Sequence, residues 1–189
     1  MPKASTSLKN RKTIIIAGAA LFSALVAIVE YLSLAIPWLR ISFPLLPQFN
    51  LKFDMAEVPA ILSFFIYGFP TGVFTSAIVP LTIIIRGTAN PLGAFLKGTA
   101  VLTTTVGLAP LWRKNKYISA ILGTTSRVSI MTIINLVVLQ LLYGYSLEAT
   151  LFFLPAIALF NLIHGILTTV VAYTIYVVLL RSRMPEVNR

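Results

Sequence analysis

The 189-residue chain has no cysteine, one histidine and only five acidic residues, Glu30, Asp54, Glu57, Glu148 and Glu186. Without cysteine there is neither a disulfide framework nor a thiolate metal site. Five acids, none paired at a metal-ligating interval, cannot easily hold a catalytic metal, which argues against a lipid-processing membrane enzyme. HExxH and GxSxG are absent, and so is the phosphate-cradling loop GxxxxGK(S/T). The nearest match to that loop, Gly93 to Gly98, runs on into Thr99-Ala100 inside an apolar stretch. These absences point away from an enzyme, a metal site or a resident cofactor, and away from a pump that hydrolyses its own ATP.

What the chain does have is apolar length. It is 58% hydrophobic and 11% charged, with a mean hydropathy of +0.92, far from the balance of a soluble domain. At roughly 20 residues per crossing, the length accommodates about six spans with short loops and no separate soluble unit. Apolar runs place the spans at 13–36, 56–69, 71–86, 91–112, 117–143 and 151–180. The first run is long for a cleavable signal peptide and is read as a retained span. Val58 to Ile85 as one helix would be about 42 Å long, so it is divided at Gly68 to Gly72.

Charge placement sets the orientation. With six spans and a cytoplasmic N-terminus, the inner side collects Lys3, Lys9, Arg11, Lys12, Arg113, Lys114, Lys116, Arg181, Arg183 and Arg189, 10 of the 15 cations. Five spans would put the Arg113 to Lys116 cluster and the C-terminal arginines outside, against the positive-inside rule. The expectation is an all-α integral membrane protein of the cell membrane, a compact six-transmembrane-helix bundle with both termini cytoplasmic. The net charge of +10 then belongs to span flanks in a lipid bilayer, and no nucleic-acid partner is expected.

Polar residues at membrane depth are costly and therefore informative. Lys97, Asn161 and His164 fall in the outer half of their spans, with Glu30 and Asn135 nearby, which suggests a ligand pocket open to the outside. Asn161 and His164, three apart, share a helix face. Lys97 reads equally as a snorkelling cation, and Asn135 as a helix-to-helix hydrogen bond. Arg127, on one face with Met131 and Asn135, reads as structural or partner-facing. Ala20 and Ala24 form an AxxxA pair suited either to internal helix packing or to docking another subunit. The outer loop Pro37 to Glu57, with Trp38, Phe43 and Phe49, is either an interfacial aromatic belt or a lid.

Three stretches carry a family resemblance: Phe53-Asp-Met-Ala-Glu-Val-Pro-Ala-Ile-Leu62, Arg127 through Met131-Thr-Ile-Ile-Asn135 to Leu142-Tyr-Gly144, and Phe160-Asn-Leu-Ile-His-Gly165. With the AxxxA pair, they resemble the substrate-binding S components of energy-coupling-factor (ECF) vitamin transporters, and within these the riboflavin type. The resemblance implies a six-helix protein that captures riboflavin from outside and works with a transmembrane T subunit and two ATPases. It implies that Asn135 and Asn161 contact the flavin, that the first outer loop closes over it, and that Ala20 and Ala24 meet the T subunit. Lys97, Glu30 and His164 are candidates for the ribityl hydroxyls. The family usually carries Lys at the place of His164 and Asn near Lys97, which keeps flavin mononucleotide open as ligand. Pantothenate as ligand and a facilitator that works alone stay open as well.

Overall fold

The computed structural model describes residues 3–87 and 90–182. Arg183, Glu186 and Arg189, counted above, lie outside the described residues. Six helices form: α1 (Lys3–Ala35), α2 (Val58–Tyr67), α3 (Phe69–Ile85), α4 (Pro91–Leu108), α5 (Lys116–Leu141) and α6 (Leu147–Ser182). Three have segments long and apolar enough to cross a membrane, Arg11–Ala35, Lys116–Leu141 and Leu147–Ser182. Between α1 and α2 the chain makes a two-stranded antiparallel hairpin, β1 (Arg40–Ser42) and β2 (Lys52–Asp54), pairing Arg40 with Asp54 and Ile41 with Phe53.

Local chemistry sets the breaks. Gly68 sits at φ 92° between α2 and α3, a conformation natural only to glycine, and Pro70 follows in the first turn of α3, where its missing N–H costs nothing. Asn90 and Asn115 cap α4 and α5, their side-chain oxygens accepting from Leu92 N and from Tyr117 N and Ile118 N. Packing partners run round the bundle in the order α1, α3, α4, α5, α6, α2 and back to α1. The α3–α4 contact is close because Gly98 lies against Pro80: a Cβ there would be 2.7 Å from the proline ring.

The two ends of the bundle differ in chemistry. At one end Trp112 stacks on Phe65 with ring centroids 4.1 Å apart, and Phe64, Tyr173 and Tyr176 complete an aromatic cluster. Arg11, Lys12, Arg113, Lys114, Lys116 and Arg181 are exposed around it, and no described acid accompanies them. Toward the middle, hydroxyls join helices, Ser63 to Thr75 at 3.2 Å and Ser76 to Thr105 at 3.1 Å. At the other end lies the hairpin. Because α2 has only 10 residues, about 15 Å of helix, it fills one half of its slot, and a cavity occupies the other half beneath the hairpin.

Candidate ligand-binding site

The cavity measures about 520 Å³, within the range that encloses a drug-sized ligand. Its wall takes residues from α1, α3, α4, α5 and α6 and from the hairpin, with Glu57, the N-cap residue just before α2, beside them. Segment 36–57 folds over it. Phe43 and Leu46, each 4% exposed, pack with Leu139, Ile157 and Phe160 of α5 and α6, and Phe53 lies 4.9 Å from Phe160 ring to ring. The segment is therefore a cover on the cavity rather than a belt alone; Trp38, 85% exposed, is the side chain that suits an interface.

Two ionic clusters frame the space. In the upper one, Lys97 ion-pairs with Glu30 of α1 and, at 2.8 Å, with Asp54 of β2. Arg86 donates to Glu30 at 2.5 Å, and Arg40 lies 3.9 Å from the same carboxylate. Burial pushes the Asp54 carboxyl up, but its neighbours, Lys97 first among them and with His164 and Arg40 adding to it, together outweigh that and hold it below the usual carboxylate range. In the lower cluster Arg127 of α5 grips Glu57 with both terminal nitrogens, at 2.5 and 3.2 Å. It also donates through Nε to Asn161 Oδ1 at 3.2 Å, and its Nη2 lies 3.2 Å from His164 Nδ1. Gly165 makes room for the arginine stem, a Cβ there coming within 3.1 Å of Arg127 Cδ. His164 Nε2 meets the backbone oxygen of Asp54 at 3.1 Å, so the lower cluster also touches the hairpin.

The residues singled out from sequence separate into three groups. Asn135, Asn161, His164 and Lys97 all line the cavity. Asn135 and Asn161 sit on neighbouring helices, each donating through Nδ2 to the carbonyl four residues earlier, Met131 and Ile157. Among the described residues the Asn135 oxygen has no hydrogen-bond partner, so it can accept from a ligand donor. Glu30 is fully buried behind the wall, taken up by Lys97 and Arg86. Ala20 and Ala24 are elsewhere, exposed on α1, and do not pack inside the chain.

Sequence reading gave no site role to Arg127, Glu57, Asp54 or Arg86, yet they form the ionic frame. Arg127 had one legible signal, its place two turns before Asn135 on the same face. Arg86, the last residue of the span 71–86, had none; it is 8% exposed and paired to Glu30, 56 residues away. Among the described residues no group of acids and histidine is arranged to hold a metal ion.

Residues 12–176 match the family described as "ECF transporter, substrate-specific component". The chain is similar to the riboflavin transporter FmnP of Bacillus subtilis (strain 168), 30% identical over 168 residues that cover 80% of this chain and 88% of that protein. It is also similar to the riboflavin transporter RibU of Staphylococcus aureus (strain TCH60), 23% identical over 163 residues, covering 80% and 86%. A solved structure described as "Structure and mechanism of the S component of a bacterial ECF transporter" shares the fold. Its TM-score is 0.75 at 21% identity, over 92% of this chain and 99% of that one.

Proposed function

The chain belongs to the substrate-specific components of ECF transporters, multi-pass membrane proteins and not enzymes, and from that premise we propose that its own substrate is riboflavin. In this reading it takes the vitamin from the extracellular side and passes it to a transmembrane T subunit driven by two ATPases. Riboflavin is cargo here, and no cofactor is required.

The observation that carries the reading is the cavity lined by both Asn135 and Asn161, from the neighbouring helices α5 and α6. An isoalloxazine ring is flat and apolar except along one edge, where carbonyls alternate with an N–H. Phe160, Ile157, Leu139 and Met131 supply apolar wall, and the two amides supply both donors and acceptors for that edge. Lys97 and His164 border the space available to the ribityl chain. Glu30, behind the wall, contributes by holding Lys97 and Arg86 in place.

One feature favours a phosphorylated ligand as the second reading. Arg40, Lys52, Arg86, Lys97 and Arg127 line the cavity, five cations against the three carboxylates of Glu30, Asp54 and Glu57. The Nε atoms of Arg40 and Arg86 are buried without a partner. A phosphate on the ribityl end would meet this excess.

The deciding experiment is to purify the protein in detergent and record its absorption between 350 and 500 nm. A flavin spectrum that survives size exclusion supports the reading, and mass spectrometry of the released molecule separates riboflavin from its phosphate. A phosphorylated ligand held by these cations would also bind more weakly as salt rises, whereas riboflavin would barely respond. A colourless protein that fails to quench added riboflavin would overturn the flavin reading and bring pantothenate forward.

A further inference from the structure

We infer that Arg127 is the positioning residue of the cavity: it fixes the amide orientation of Asn161 and the tautomer of His164, so that the floor presents one defined set of donors and acceptors. The inference takes the flavin from the reading above, but its geometry stands without it.

Guanidinium nitrogens only donate, and four of the five N–H groups of Arg127 are engaged: Nε with Asn161, Nη1 with Glu57, Nη2 with Glu57 and His164. Asn161 is determined from both sides. Its Oδ1 accepts from Arg127 while its Nδ2 donates to Ile157 O at 3.0 Å. Turning the amide over would set donor against donor and oxygen against oxygen. His164 is determined in the same way. The atom facing Arg127 Nη2 must accept, so Nδ1 carries no proton and Nε2–H donates to the carbonyl of Asp54. Glu57 balances the charge and holds the planar fork with two parallel bonds. What remains for a ligand is the second lone pair of Asn161 Oδ1, its second amide hydrogen and the free oxygen of Asn135.

The chain has a single histidine, so its ring ¹⁵N resonances can be assigned without ambiguity. In the full-length protein they should report the Nε2–H tautomer. In the double variant Glu57→Gln with Arg127→Met, which removes both buried charges together and so avoids an orphaned carboxylate, that preference should be lost. Binding of riboflavin and of N3-methylriboflavin gives the second readout. Wild type should discriminate against the methylated ring. The double variant should lose at least about tenfold of that ratio, because rejection by a polar site depends on fixed partners. Arg127→Lys keeps a charge opposite Glu57 but has no fork, and it should fail to restore either readout.

The inference is overturned by a wild-type ring carrying its proton on Nδ1, by a tautomer unchanged in the double variant, by equal weakening of both ligands with the ratio intact, or by rescue with lysine. Should wild type bind no flavin at all, the flavin reading falls while the ring resonances still decide the role of Arg127.

Discussion

At the scale of single residues, the two asparagines are not equivalent. Asn161 is anchored at both ends of its amide. Asn135 is anchored at one end, through Nδ2 to Met131 O at 2.8 Å, and offers its oxygen to the cavity. Asn135→Ala should therefore remove one hydrogen bond to a buried ligand donor and disturb little else. Leaving that donor unpaired costs about 1–3 kcal/mol, so riboflavin affinity should fall roughly 10- to 100-fold, measured by fluorescence quenching. Asn135→Asp keeps the acceptor oxygen but gives up the Nδ2 donor to Met131 and adds a buried charge, and should be worse than alanine in detergent stability. An affinity unchanged in Asn135→Ala would mean that the ligand's polar edge faces elsewhere.

At the scale of elements, the hairpin covers the cavity, and the expectation is that it sets how long a ligand stays. It is held by two separable devices: Phe43 buried against Phe53 and Phe160, and Asp54 tied to Lys97 by its side chain and to His164 by its carbonyl. Truncating a buried phenylalanine costs roughly 3–5 kcal/mol, so Phe43→Ala should raise the riboflavin off-rate by a factor of 10 or more on the order-of-magnitude scale of one decade per 1.4 kcal/mol. Asp54→Asn should raise it too, with the association rate less affected. The ionic device has a pH signature. The Asp54 pKa is lowered in the fold, so its contribution is complete above the ordinary aspartate value of about 3.9 and disappears as pH falls through the folded value. Stopped-flow release rates should accordingly stay level from pH 5.5 to 8 as far as Asp54 is concerned. The helices themselves were legible in the sequence because apolar runs, glycines and prolines act locally. The hairpin was legible only as an apolar loop, since its fold depends on Phe160 and Leu139, about 100 residues away along the chain. The ionic frame was least legible for the same reason. Glu30 finds Arg86 and Lys97, and Glu57 finds Arg127, only once the bundle has formed, and no spacing rule connects residues on separate helices.

At the scale of the whole molecule, the outer surface carries the remaining functional question. Ala20 and Ala24 are exposed in the middle of α1 beside Leu21 and Ile28, a flat stripe where another helix can approach closely. Ala20→Trp should leave riboflavin affinity within about twofold, because Ala20 is exposed and is not part of the cavity wall, yet stop ATP-driven uptake in vesicles containing the T and ATPase subunits. Loss of binding as well would relocate the effect to the bundle interior. Orientation is the other molecular property, and it has a direct chemical test because the chain contains no cysteine. Six exposed cations ring the aromatic end with no described acid beside them, while Glu148 lies at the hairpin end near the start of α6. The positive-inside rule therefore predicts the aromatic end in the cytoplasm and the hairpin outside. Single cysteines at Lys114→Cys and Glu148→Cys probe the two ends. In intact cells a membrane-impermeant maleimide should label the second and not the first, and permeabilisation should expose the first. The reverse pattern would place the cavity mouth on the cytoplasmic side, and extracellular capture would have to be abandoned even with riboflavin bound.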